Sequence, residues 1–539
     1  MTIMAEEGNG LVGASSTLCG VPYRPPLRPH HVTPRPLSEL AGTLGVAAPA
    51  RDTAVTGVTH DSRKVQTGDL FAALPGALTH GVRFAAQAEA AGAVALFTDP
   101  DGARRLGTDL PVVAVDDPRA RLGELAATIY GRPADDLLML GVTGTNGKTT
   151  TTYLIESGLR AAGHRTGLVG TVETRIDNQR VASVRTTPEA ADLHALLAVM
   201  REQGVTACVM EVSSHALVLG RVDAIVFDVA GFTNLSQDHL DFHRDLEDYY
   251  AAKAALFTPL RSRRGVVCVD DEYGRRLAAE ASVPVVTIAT RDDAGAADWV
   301  VVKREVSRSG RSTAIDLEHD GRREVSVSAP IPGDFNVANA VLATVMLFEA
   351  GVSGRDAARG MALCPGVPGR MESVQSTGAF EPLAVVDYAH TPEAIENVLR
   401  ALRPSTRGRL IAVLGAGGDR DPHKRPLMGA AAARHADVVI VTDDNPRSEE
   451  PAAIRAAVLS GTAGADRPVQ VREVADRGQA IAAAVDAAGG TDDTVAVLGK
   501  GHEQGQEVAG VVHPFDDRLV LRQAIERWNH RRDFKADAQ

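Results

Sequence analysis

Three features of the sequence together predict an α/β protein of three domains. Short runs of Val, Ile, Leu and Ala alternate with stretches of helical periodicity along most of the 539 residues. Aromatic residues make up only 4% of a chain that is 44% hydrophobic, so its cores must be built from aliphatic side chains, as in alternating strand–helix proteins. A glycine-rich loop, Gly144-Thr145-Asn146-Gly147-Lys148-Thr149-Thr150, lies between an apolar run, Leu137 to Val142, and a helical stretch from Thr149 to Ala162. The expected fold is a central P-loop domain with a mostly parallel sheet, and a C-terminal Rossmann-like α/β domain.

Residues 1–36 come first. The segment from Val21-Pro22-Tyr23-Arg24-Pro25-Pro26 to Pro36 is dense in Pro, Arg and His and reads as a disordered or loosely docked extension. Residues 37–134 form a small α/β unit without a phosphate loop. Its strands are expected at 68–74, Ala93–Thr98 and Val112–Asp116, with a helix over Arg83–Ala91. Residues 135–364 form the central domain, with strands at Leu138–Thr143, Ala207–Val212, Ala224–Val229 and Gly265–Asp270. Residues 365–539 restart the alternation with strands at Leu383–Tyr388, Leu410–Gly415, Val438–Thr442 and Thr494–Gly499. Each of these four ends in a polar cluster: Asp387 to His390, Gly417 to Arg420, Asp443 to Arg447, and Lys500 to Glu503. In open parallel sheets ligands bind beyond the carboxyl ends of the strands, so four such clusters would converge on one edge.

The formal charge, 57 minus 69, is −12, which argues against a nucleic-acid partner. The four cysteines, Cys19, Cys208, Cys268 and Cys364, are scattered without metal-site spacing and read as reduced. No apolar stretch is long enough to span a bilayer and no apolar signal core opens the chain, so a cytoplasmic protein without a membrane partner is expected.

In the loop, backbone N–H groups and the positive helix end suit a polyphosphate, Lys148 supplies a point charge, and the Thr149 hydroxyl can reach a magnesium ion. The usual pattern, Gly, four residues, Gly-Lys-Ser/Thr, fails by one position, because Val142 stands five before Gly147. Downstream, Glu211 and His239 offer an oxygen and an imidazole that could complete magnesium shells, or be hydrogen-bonded turn residues. Tyr249, Lys253 and Phe257 share one helix face, which puts an ammonium on an apolar side. Lys253 either snorkels or is placed at a site with its charge altered. Asn336 and Asn339 could cap a helix or bond a nucleotide base. Arg420, Asp444, Arg447 and Glu503 mix guanidinium forks with carboxylates. That mixture suits a zwitterionic amino acid, or is a surface ion-pair network.

Gly-Thr-Asn-Gly-Lys-Thr-Thr at 144–150, Glu-Val-Ser-Ser-His at 211–215, Thr-Asn-Leu-Ser-Gln-Asp-His-Leu-Asp at 233–241 and Asp-Tyr-Ala-His-Thr-Pro at 387–392 resemble the Mur ligases, the ATP-dependent amide ligases that build the peptidoglycan stem peptide. The resemblance runs from about residue 40 to 530 and accounts for the loop that lacks the first glycine. Thr186-Thr187-Pro188-Glu189, Gly-Gly-Asp-Arg-Asp at 417–421, Lys-Arg-Pro-Leu-Met at 424–428 and Gly-Lys-Gly-His-Glu at 499–503 resemble the branch that extends UDP-N-acetylmuramoyl-L-Ala-D-Glu. Asp444-Asn445-Pro446-Arg447 resembles the version that selects meso-diaminopimelate rather than L-lysine.

The resemblance implies a role for each matching residue. Gly144 to Thr150, Asn336, Arg370 and Asp387 would bind ATP. Ser62, Thr186, Thr187, Ser213 and Arg221 would bind the UDP substrate. Arg420, Asp444, Asn445, Pro446, Arg447, Gly499 and Glu503 would bind diaminopimelate. Thr149, Glu211, His239 and Lys253, the last as a carbamate, would hold Mg²⁺, with Lys148, Lys253 and His239 catalytic. A monomer is expected. Leu219 and His423 depart from the family pattern. A folylpolyglutamate synthetase shares the fold and loop, but the Asp-Asn-Pro-Arg segment counts against it. A switch GTPase would need an Asn-Lys-x-Asp motif, which the sequence lacks.

Overall fold

The computed structural model describes residues 27–536 except 77–78, 182–184, 241, 308–311, 331–332, 377–380 and 465–466. Three sheets organise it. A four-stranded parallel sheet is made of Gly57–Thr59, Asp69–Ala72, Ala95–Thr98 and Val112–Ala114, in that order. The central sheet has eleven strands. Its parallel heart runs Thr166–Val169, Ala207–Glu211, Leu138–Thr143, Val229–Phe232, Gly265–Cys268, Val285–Ala289, Trp299–Val306. Antiparallel strands extend both edges. The third sheet has six strands in the order Glu372–Val374, Leu383–Asp387, Thr494–Leu498, Leu410–Leu414, Val438–Val441, Gln470–Glu473, all parallel but the first.

Strands buried on both faces explain the near-continuous apolar runs. Ala207–Glu211 and Leu410–Leu414 are buried at every position. One face of the central sheet is covered by helices Lys148–Ala161 and Asp334–Glu349, and their Leu154, Ile155, Val341 and Leu342 belong to one core with Leu140 and Val229. The opposite face packs Leu193, Leu197 and Met200 of helix Ala190–Glu202 against Met139, Cys208 and Met210. Helix Asp334–Glu349 is apolar almost all round, as a helix sandwiched between layers must be. Among the described residues no helix is long and apolar enough to cross a membrane.

Two readings need correction, and a third is made specific. The strand expected at Ala224–Val229 is displaced to Val229–Phe232. Ala224 adopts a left-handed φ of 64°, Phe227 makes only an isolated bridge to Ser262, and the ladder with Leu140–Thr143 begins at Val229. The helix expected over Arg83–Ala91 is a 3₁₀ turn, Gly81–Phe84, followed by an α-helix, Ala85–Ala90. Of the extension expected to be disordered or loosely docked, residues 1–26 lie outside the described residues, and 27–36 are docked. Arg28 donates to the Tyr130 hydroxyl at 2.7 Å and to the Val58 carbonyl at 2.9 Å, and pairs with Asp69 at 3.4 Å. The His30 and His31 amides both donate to Glu202, each at 2.9 Å, and Arg35–Pro36 pairs with Ala54–Val55.

Candidate active site

The loop after strand Leu138–Thr143 turns into helix Lys148–Ala161 through Gly147, whose φ of 90° only glycine adopts without strain. A side chain there would also run into Asn339. Thr233 and Asn234 brace the loop from the neighbouring strand end. The Thr145 amide donates to the Asn234 carbonyl at 2.8 Å, the Asn146 amide to Asn234 Oδ1 at 3.0 Å, and the Thr233 hydroxyl to the Asn146 carbonyl at 2.6 Å. The loop opens into a cavity of about 340 Å³ walled by the central domain on one side and the third domain on the other. Thr145 to Thr150, Thr186, Glu211, Ser213, His239, Asn336, Arg370 and Asp387 all line it.

Two lysines converge on one carbonyl beneath the loop. Lys148 Nζ lies 2.9 Å and Lys253 Nζ 2.8 Å from the Gly144 oxygen. Lys253 is only 1% exposed, with its nitrogen 4.4 Å from the centre of the Tyr249 ring. Burial, reinforced by the Lys148 charge and opposed by Asp238, drives the Lys253 pKa well below the usual lysine value. Burial also lowers Lys148, against Glu211 and Asp238. A snorkelling lysine would carry its charge to water, whereas the Lys253 nitrogen is buried against the Gly144 carbonyl; a neutral amine is the nucleophilic form of a lysine.

Oxygen-rich groups ring the same space. Glu211 is 1% exposed and accepts from the Thr171 amide at 2.8 Å and its hydroxyl at 3.0 Å. Thr171 in turn lies 3.0 Å from Thr186 Oγ1. Thr149 is buried at the helix start. His239, at a left-handed φ of 54°, sits 3.6 Å from Asp238 and edge-on to His215. Carboxylate, hydroxyl and imidazole donors facing a polyphosphate loop fit magnesium, which takes one or two protein groups and fills its shell with phosphate oxygens and water.

On the third-domain wall, Asp387 accepts the Met371 and Ala389 amides, both at 2.7 Å, and burial raises its pKa against the pull of Arg370. Arg370 lies over the Tyr388 ring, 4.7 Å from its centre, and among the described residues its Nε is buried without a partner. That leaves a donor for a ligand oxygen. Asn336 and Asn339 bond each other at 3.2 Å within the cavity wall, in the first turns of helix Asp334–Glu349, whose N-cap is Gly333.

The remaining UDP-substrate candidates divide. Thr187 stands one layer behind the cavity, donating to the Glu211 carbonyl at 2.9 Å and lying 3.4 Å from Ser213. Arg221 donates to the Thr187 carbonyl at 3.3 Å and pairs with Glu189 at 2.8 Å. Ser62 lies in the first domain, bonded to Gln87 at 3.0 Å, away from the cavity lining. Leu219 is the half-buried cap of helix Ser214–Val218, and His423 is exposed at the start of helix Lys424–His435.

The third-domain strand ends converge as the clusters suggested. Asn445 Nδ2 donates to Glu503 at 2.8 Å, and Arg447 donates to the Gly418 carbonyl at 2.6 Å and lies 3.5 Å from Glu507. Gly499 has a φ of 118°, and a side chain there would strike Asp444. Pro446 backs onto Gly418, and Arg420 is exposed and donates to the neighbouring Asp419 carbonyl at 3.1 Å. Tyr388 and His502, with rings 5.3 Å apart, join this cluster to the cavity. Sequence reasoning assigned no role to Lys500, Tyr388 or Asp238, nor to the fully buried pair of Arg477 and Asp517 at 2.7 Å, whose arginine reaches the Asp443 and Leu498 carbonyls beneath the cluster. The buried charge would have been a signal only once the pairing was known.

Residues 54–130 match the family described as Mur ligase family, catalytic domain, residues 142–347 the Mur ligase middle domain, and residues 369–501 the Mur ligase, glutamate ligase domain. A UDP-N-acetylmuramoyl-L-alanyl-D-glutamate–2,6-diaminopimelate ligase of Streptomyces coelicolor is 58% identical over 508 residues, covering 94% of this chain and 99% of that protein. Its counterpart in Corynebacterium efficiens is 49% identical over 520 residues, covering 92% and 97%. A solved structure of a ligase with the same name superposes with a TM-score of 0.67 at 33% identity, over 92% of this chain and 99% of that one. A folylpolyglutamate synthase of Mycobacterium tuberculosis complexed with ADP shares the fold alone, with a TM-score of 0.56 at 20% identity over 71% of this chain and 92% of that one.

Proposed function

Because this chain belongs to the Mur ligase family, we propose that it joins meso-diaminopimelate to the D-glutamate γ-carboxylate of UDP-N-acetylmuramoyl-L-Ala-D-Glu at the expense of ATP, in peptidoglycan precursor synthesis. The observation that carries this reading is a phosphate-loop cavity walled by two domains, beside a strand-end pocket that holds both arginine and carboxylate groups.

The γ-carboxylate attacks the ATP γ-phosphorus and ADP leaves, giving an acyl phosphate. The diaminopimelate amine adds to its carbonyl carbon, and phosphate leaves the tetrahedral adduct as the amide forms. The loop amides and Lys148 hold the phosphoryl oxygens and take up charge as it develops on them. Arg370 and Asp387 orient ATP from the facing wall, and Asn336 from the helix beside the loop. Thr186 and Ser213, backed by Thr187 and Arg221, seat the dipeptide end of the UDP substrate, and Ser62 its nucleotide end. Thr149, Glu211, His239 and Lys253 would hold Mg²⁺, which when bound supplies positive charge against the phosphates. Lys253 takes part as a carbamate: its depressed pKa supplies the neutral amine, whose nitrogen bonds the carbon of CO₂ as a proton is lost, so a buried cation becomes a carboxylate ligand. Arg447 pairs with the distal carboxylate of diaminopimelate, and Glu503 and Asp444 receive its ammonium groups. The enzyme is read as a cytoplasmic monomer.

Thermal protection tests the assignment of ligands. MgATP and the UDP-dipeptide should each raise the melting temperature, whereas MgGTP should not. Protection by GTP with indifference to the uridine nucleotide would refute it.

A further inference from the structure

The diaminopimelate pocket holds a charge that its assigned contacts do not account for. The Lys500 side chain is 0% exposed, yet its ammonium lies at the centre of the pocket's polar groups. It donates to Asn445 Oδ1 at 2.8 Å and to Glu503 Oε2 at 3.1 Å, and stands 3.9 Å from Asp444 Oδ1. The Glu507 amide donates to the same Asn445 oxygen at 3.0 Å. Two donors on one atom fix the orientation of the Asn445 amide, whose nitrogen then has to face Glu503, where it donates at 2.8 Å. Among the described residues, both of these hydrogen bonds to the Glu503 carboxylate fall on Oε2, which fixes the carboxylate from one side. Lys500 also stands between two partly buried carboxylates, Asp444 and Glu503, and its charge offsets their mutual repulsion.

We propose that Lys500 is the positioning residue of the amino-acid pocket. Its ammonium locks the Asn445 amide and the Glu503 carboxylate in the arrangement that receives an ammonium group of the incoming diamino acid. The assignment rests on the ligase reading above. It goes beyond it by placing specificity in a buried lysine that need not touch the substrate.

Lys500→Met keeps the stem and removes the charge. Steady-state phosphate release, with each substrate varied in turn, should show KM for diaminopimelate raised at least about 30-fold, the factor corresponding to about 2 kcal/mol of charge-assisted bonding. KM for ATP and for the UDP-dipeptide should stay within about twofold. A merely structural lysine would instead shift all three KM values and kcat together, or none, and either pattern overturns the proposal. Should the methionine variant fail to fold, Lys500→Arg keeps the charge but misplaces the donors. It should fold and still lose affinity for diaminopimelate selectively, and unchanged affinity in that variant overturns the proposal as well. Wild-type turnover distinguishes the two levels. Turnover with diaminopimelate but no selective loss in the variants refutes the role of Lys500 alone. No wild-type turnover refutes the ligase reading, and this assignment with it.

Discussion

Replacing Arg447 by alanine should damage the use of diaminopimelate far more than the use of ATP. The guanidinium has five N–H donors, one of which is committed to the Gly418 carbonyl at 2.6 Å. Its Nε lies 3.5 Å from Glu507, a loose pairing that a ligand carboxylate can outcompete. The other donors remain for a bidentate grip on the distal carboxylate, which lysine lacks. Two charge-assisted bonds in full burial would contribute about 3–6 kcal/mol. The Arg447 side chain is 23% exposed and Glu507 competes for it, so about 2–3 kcal/mol is the better figure. That corresponds to a rise of about 30- to 150-fold in KM for diaminopimelate. Arg447→Lys keeps the charge and loses the fork, so it should fall between wild type and alanine. Steady-state assays with diaminopimelate and ATP varied separately read both numbers. Equal losses for the two substrates would mean that Arg447 supports the fold, and the specificity reasoning would be refuted.

Two further perturbations probe the central domain. Lys253→Ala should abolish turnover, and a short carboxylic acid such as acetate should partly restore it by entering the vacated space; full activity in the unsupplemented variant would refute the carbamate. His194 is 0% exposed and bonded to the Asp223 carbonyl at 3.0 Å, and burial, against that bond, lowers its pKa to about 4. The unfolded state therefore takes up a proton below about pH 6.5 that the folded state refuses, so stability should fall as pH drops from 6.5 towards 4, by about 2 kcal/mol at pH 5. Denaturant unfolding of wild type and His194→Gln at pH 7.5 and pH 5 reads this. The glutamine variant should lose that much less stability on acidification, and identical losses would remove His194 as the cause.

What was legible in the sequence were features carried by contiguous residues. The Gly144–Thr150 loop announces itself through the strand before it and the helix after it. The third-domain polar clusters follow buried strands whose apolar runs end sharply at Asp387, Leu414, Val441 and Leu498. Boundaries failed where a tertiary contact overrides the local pattern. Ile225 and Phe227 are apolar because they fill the core, not because they pair in the sheet, and the Ala230-Gly231 pair that does join the ladder has little strand character of its own. The hairpins through Trp299–Val306, Thr313–His319 and Arg322–Ala329 were not read at all. Their exposed faces are dense in charge, yet Ile315 and Leu317, and Val327 and Ala329, alternate with polar residues and pack into the core, a period-two pattern that the charged positions around it masked. Partners far apart in sequence stayed hidden for a related reason. Arg477 meets Asp517 across 40 residues, and Lys500 meets Asn445 across 55. Nothing in either local segment signals its partner, and the charge is explained only when both ends are in place. The docking of Arg28 onto Tyr130 and Asp69 is another such pairing, in a stretch whose Pro-rich composition reads as loose.

The most direct test of the account is phosphate release by the full-length protein with MgATP and UDP-N-acetylmuramoyl-L-Ala-D-Glu, offered either meso-diaminopimelate or L-lysine. The arrangement of Arg447, Asn445 and Glu503 predicts turnover with diaminopimelate and little with lysine. Efficient turnover with lysine would contradict the role given to Arg447, and silence with both amino acids would contradict the assigned reaction itself.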